Sequence, residues 1–117
     1  QVIDEKNNNS ITNKKTNLYI PMMTLDSLFS NFQEIDVLKI DVEGYEKFVF
    51  EGGVETLKKT KTIYMEYFPQ NAKHFGYEIS ELKNTLEKNN FSCTFSDINM
   101  HQNKGIDNLI CINKNLI

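Results

Sequence analysis

The segment KIDVEGYE, Lys39 to Glu46, puts Asp41, Glu43 and Glu46 within six residues of one another, with Gly44 between them. Clustered carboxylates can favour a bound cation, take a proton from a hydroxyl, or ligate a hard metal ion. A glycine among them lets the backbone turn tightly or approach a ligand closely. Acids at a helix start also have a plainer use, since each gains about 0.3–1 kcal/mol from the positive end of the helix dipole. Asp41 would then be a cap, with Glu43 and Glu46 in a solvated first turn. One cap satisfies only one or two amides, however, and does not require three acids. Further along, Glu66 and Tyr67 close a second apolar run, and His74 follows it. A lone histidine in a polar stretch is more often solvated than catalytic, and His101 has a weaker case still.

The elements that position these residues follow from spacing. Asp36 to Val42 is predicted as a strand, apolar at nearly every position and therefore covered on both faces. Glu43 to Glu51 is predicted as a helix, ended by Gly52-Gly53 through a left-handed cap. Val54 to Lys59 adds a turn or two. Thr62 to Phe68 is the next strand, stopped by Pro69. Ile79 to Asn89 is an amphipathic helix with Ile79, Leu82 and Leu86 inward, and Phe91, Cys93 and Phe95 alternate with polar residues as in a half-buried strand. Asn108 to Asn113 forms the last strand. Upstream, Thr24 to Phe29 reads as a short helix with Thr24 as N-cap and Asp26 at its positive start. Leu18 to Met23 is an extended run that Pro21 confines to an edge or a connection. Residues 1–17, rich in Asn and Lys, are expected to be flexible or a frayed strand, and residues 18–117 to form the α/β domain. Alternating strands and helices imply parallel pairing, and the final pair, joined without a helix, implies an antiparallel addition at one edge. Lys39, two residues before Asp41, is expected in a structural ion pair. Tyr64 and Tyr67 suit core and rim packing.

With 117 residues, 39% hydrophobic and 25% charged, the chain suits one small globular domain. Its net charge of −3 argues against the basic face that nucleic-acid binders usually show. No apolar run nears the roughly 20 residues of a membrane span, so a cytoplasmic protein is expected. Cys93 and Cys111 lie in strand-like runs, where buried free thiols are the commoner state.

The runs TLDSLF, IDVLKIDVEGYEKFVFEGG and IYMEYFP together resemble the carboxyl-terminal half of FkbM-type methyltransferases, over most of Thr24 to Pro69. The resemblance implies a Rossmann-like class I methyltransferase sheet and S-adenosylmethionine as cofactor. It also implies O-methylation of a small hydroxyl-bearing acceptor. Carried over residue by residue, it makes Asp41, Glu43 and His74 the catalytic candidates and puts Asp41 and Gly44 beside the cofactor. Glu46, Glu66 and Tyr67 fall on the substrate side. Asp36 to Val42 would be the fourth strand of that fold and Thr62 to Phe68 the fifth. The family's glycine-rich turn after its first strand is missing, because Gly44, Gly52, Gly53, Gly76 and Gly105 cannot compose it. The start at Gln1 agrees with a piece of a longer protein, inactive alone, whose fourth strand self-associates or pairs with Leu18 to Met23. Two rivals stand beside this: a non-catalytic α/β interaction module, and a divalent-metal site built from Asp41, Glu43 and Glu66.

Overall fold

Strand residues alternate between two environments, and that alternation organises the fold. The computed structural model describes residues 2–3, 11–12, 17–96 and 107–116. Its elements are β1 (Val2–Ile3), β2 (Ile11–Thr12), α1 (Leu25–Leu28), β3 (Ile35–Ile40), α2 (Glu46–Glu51), α3 (Val54–Lys58), β4 (Thr60–Tyr67), α4 (Pro69–His74), α5 (Ile79–Lys88), β5 (Phe91–Ser96) and β6 (Asp107–Asn113). β1 and β2 pair only with each other, so the strand expected to fray from a larger sheet forms a separate antiparallel pair. The rest of the flexibility expected for residues 1–17 falls almost wholly outside the described residues.

The main sheet runs β3-β4-β6-β5, with β3 and β4 parallel and both β6 pairings antiparallel, the antiparallel addition expected of the last two strands. Leu38 and Ile40 of β3 share one face with Ile63, Met65 and Tyr67 of β4 and with Leu109 and Cys111 of β6. Phe50, Leu57, Ala72, Leu82 and Leu86 from the helices close over that face. Each large apolar side chain buried this way contributes about 1.5–3 kcal/mol.

The opposite face corrects the expectation for β3. Val37 is 61% exposed, and Lys39 is exposed too, because α2, α3, α4 and α5 all contribute to one core. The strand is apolar by composition but only half buried. β3 pairs with no described strand other than β4, and Leu18 to Met23 run irregularly and exposed rather than along its free edge. Lys39 makes no ion pair among the described residues. Lys61 instead binds Glu34 (2.6 Å) and Asp36 (2.8 Å), tying together the starts of the two parallel strands.

Local chemistry explains the element ends. The Ser27 amide donates to Thr24 Oγ1 (3.1 Å), the predicted cap of α1. Asp26 does more than favour its own helix. Its carboxylate reaches across to the start of α3, accepting from the Thr56 amide (2.7 Å), the Thr56 hydroxyl (2.8 Å) and the Glu55 amide (3.2 Å). Burial pushes its pKa up, but these hydrogen bonds outweigh burial and hold the carboxyl below the usual aspartate value. Gly52 ends α2 at φ −88°, so the expected left-handed cap is not used; its amide simply returns to the Phe48 carbonyl. Pro69, expected only to stop a strand, opens α4 at its first turn, where a missing amide costs nothing.

Two polar features of the core were not legible in composition. Cys93 and Cys111 are bonded to each other, not free. They stand directly opposite on the paired strands β5 and β6 and face the same side, which brings their sulfurs together. Asn113 is buried, donating to the carbonyls of Leu57 (3.2 Å) and Thr60 (3.0 Å) and so satisfying groups left over at the end of α3. Among the described residues no helix is long and apolar enough to cross a membrane.

Candidate functional site

β3 stops at Ile40, and Asp41 and Val42 carry the chain past the edge of the sheet. Glu43 and Gly44 then take φ of +54° and +103°, and the Tyr45 amide donates back to the Val42 carbonyl (3.2 Å). Two central residues at positive φ mark a mirror-image tight turn. This turn delays the helix, which begins at Glu46 rather than at Glu43. A glutamate at positive φ costs about 1–2 kcal/mol and persists only where its surroundings impose it.

Those surroundings are specific. A Cβ on Gly44 would lie 2.7 Å from the carbonyl carbon and Cβ of Asn71, so the first turn of α4 presses directly on the glycine. Asn71 Nδ2 donates to Glu43 Oε2 (3.2 Å). The Gly44 amide donates to Glu46 Oε1 (3.2 Å), and the Tyr77 hydroxyl lies 2.8 Å from the Gly44 carbonyl and 3.2 Å from Glu46 Oε2. Glu46 is only 2% exposed. Burial and the neighbouring Glu46 carboxylate push the Tyr77 pKa above the ordinary tyrosine value, so the hydroxyl keeps its proton and remains a donor. The rings of Tyr45, Phe48 and Phe75 pack beside this assembly, with the Tyr45 and Phe48 centroids 4.7 Å apart and Phe48 edge-on to Tyr77.

A cleft of about 90 Å³ opens beside the turn, lined by Asp41, Glu43, Gly44, Glu46, Glu66, Phe68 and Asn71. Ile40 is in register with Met65, so Asp41, just past β3, follows on beside Glu66, next to last in β4. Ligands of α/β proteins bind at this end of the sheet. Four carboxylates and no basic side chain line the cleft.

Of the candidate residues, the structure gathers Asp41, Glu43, Gly44, Glu46 and Glu66 around this cleft. It does not bring Tyr67 or His74 to the cleft. Tyr67 follows Glu66 on the strand and must face the other way. It is 3% exposed, and burial, with Glu78 and Glu46 nearby, pushes its pKa up. His74 is exposed in the last turn of α4, its ring edge-on to Phe75 at 5.1 Å. Gly44 lines the cleft, and the direction a Cβ would take from it is filled by Asn71 of α4. Among the described residues no three His, Cys, Asp or Glu side chains are grouped to hold a metal ion, so the donor set of the metal rival is not assembled. Asn71, Phe68 and Tyr77 were missed. Pro69 as a helix opener could have signalled Asn71, whereas nothing near Tyr77 in the sequence points at the turn.

A family model described as the methyltransferase FkbM domain matches residues 2–93, well over half of the chain. No curated protein and no solved structure matches it.

Proposed function

Because the chain belongs to the FkbM methyltransferase family, we propose that the cleft beyond β3 and β4 is the methyl-transfer end of an S-adenosylmethionine-dependent O-methyltransferase acting on a small hydroxyl-bearing acceptor. The convergence of Asp41, Glu43, Glu46 and Glu66 on one cleft without a basic neighbour carries this reading. The parallel pair followed by an antiparallel addition supports taking β3 and β4 as the fourth and fifth strands of a Rossmann-like class I methyltransferase sheet.

S-adenosylmethionine supplies an electrophilic methyl group on a positively charged sulfur. The residues here suit that charge. At an effective dielectric of about 20, a carboxylate 4 Å from a unit positive charge gains about 4 kcal/mol. Asp41, Glu43 and Glu66 are exposed at the cleft and free to act so. Asp41 or Glu43 accepts the acceptor's hydroxyl proton, a role that contributes roughly 10²–10⁴-fold in rate. Glu46, with both oxygens engaged, shapes the site and does not react. The spacing of the five glycines in the sequence offers no nucleotide-cradling motif. This chain therefore holds the donor weakly, and the free edge of β3 is a place for self-association, which a sedimentation coefficient independent of concentration would argue against.

Titration with S-adenosylmethionine, followed by amide NMR of the whole chain, tests the proposal. Shifts confined to Asp41, Glu43, Gly44 and Glu66, with millimolar affinity weakened by salt and lost in Asp41→Asn, are expected. No shift at saturating donor would refute the donor site. Micromolar affinity would refute the need for further binding elements.

A further inference from the structure

We propose that Tyr77 is the positioning residue of the acidic turn: its hydroxyl, donated to the Gly44 carbonyl, locks Glu43 and Gly44 at positive φ and so fixes where the Glu43 carboxylate stands in the cleft. The turn has three tethers. Asn71 Nδ2 holds the Glu43 side chain (3.2 Å), and Glu46 Oε1 holds the Gly44 amide (3.2 Å). The Tyr77 hydroxyl holds the Gly44 carbonyl, at 2.8 Å the shortest of them. Only this last tether comes from a side chain that neither lines the cleft nor belongs to the turn or to α2. Tyr77 is 3% exposed and sits between α4 and α5, so its oxygen is fixed by the core rather than by solvent. It also lies 3.2 Å from Glu46 Oε2, and so meets both ends of the Gly44 peptide system through one carbonyl and one carboxylate.

A buried carbonyl at an otherwise unfavourable turn is costly to leave unpaired, so removing one hydroxyl releases a strained conformation rather than a relaxed one. A glutamine at position 46 has the groups to keep both hydrogen bonds, though not the charge. One amide oxygen still accepts from the Gly44 amide, and the amide nitrogen donates to the Tyr77 oxygen, which leaves the Tyr77 proton wholly for Gly44.

The consequence for donor affinity rests on the methyltransferase reading, but the placement of the turn does not and is measured without ligand. In Tyr77→Phe, hydrogen exchange at the Tyr45 and Gly44 amides should speed up roughly tenfold while Ile63 and Met65 in β4 stay protected. Unchanged exchange in Tyr77→Phe would overturn the proposal. Should that variant fail to fold, the unaltered chain decides: a slowly exchanging Tyr77 hydroxyl proton with a dipolar contact to Gly44 supports the proposal, and its absence overturns it. If the turn loosens in Tyr77→Phe and the unaltered chain shows no shift with S-adenosylmethionine, the positioning role stands and the donor reading fails. If the chain does bind, Tyr77→Phe should weaken it about tenfold.

Discussion

Gly44 and Gly76 both lie at positive φ, +103° and +81°, but only Gly44 is crowded. Replacing each by alanine therefore separates backbone strain from steric clash. At compatible sites a Gly→Ala change stabilises by about 0.4–1 kcal/mol, through the unfolded chain. Neither position is compatible. At Gly76 the added Cβ meets nothing within 4 Å, so only the conformational term remains, about 1–2 kcal/mol of destabilisation. At Gly44 the same term applies, and the Cβ would also sit 2.7 Å from the Asn71 carbonyl carbon and 2.8 Å from its oxygen. Backbone cannot swing aside as a flexible side chain can, so overpacking adds about 1–3 kcal/mol. Gly44→Ala should thus cost about 2–5 kcal/mol, a large share of the 5–15 kcal/mol typical of a domain. Urea unfolding followed by circular dichroism and tyrosine fluorescence measures both changes, the chain having no tryptophan. If Gly44→Ala costs no more than Gly76→Ala, α4 does not press on the acidic turn, and the geometry argued for the cleft is wrong.

Asp26→Ala should cost about 1–3 kcal/mol near neutral pH, because three donors at the start of α3 lose their acceptor. Since the folded pKa of Asp26 is depressed, its stabilisation is complete above the ordinary aspartate pKa and fades as pH falls through the folded value. The gap between the variant and the unaltered chain should therefore close in acid; a gap independent of pH would sink the account. Unfolded without reductant, the chain should show no free thiol to a thiol reagent. Breaking the Cys93–Cys111 bond, which spans a sequence separation of 18, should lower stability by about 3 kcal/mol. Two titratable thiols in the untreated protein would contradict that pairing.

Much of the fold could be read locally. Thr24 announced α1, the alternation of Phe91, Cys93 and Phe95 announced β5, and Leu82 with Leu86 announced the inner face of α5. The acids of KIDVEGYE were legible as a cluster of like charge at a strand exit. Those signals act over three or four residues, the range of helix and strand periodicity. What they could not carry is distance across the chain. That Asp26 caps a helix some thirty residues on, that Cys93 faces Cys111, and that Tyr67 turns into the core while Glu66 turns to the cleft are all consequences of register and packing. The same holds for the half-bare β3, whose apolar composition suits burial on both faces although helices cover only one.

By itself, then, the sequence determined which residues crowd the end of a parallel strand, and the chemistry their carboxylates can perform. Only the tertiary structure decided which of them share a cleft, that the turn holding Glu43 adopts positive φ, and that Asn71 and Tyr77 hold it there. The reason is physical. Residue type and spacing fix local conformational preference, whereas a strained turn is stable only through contacts that exist once α4 and α5 have packed against it.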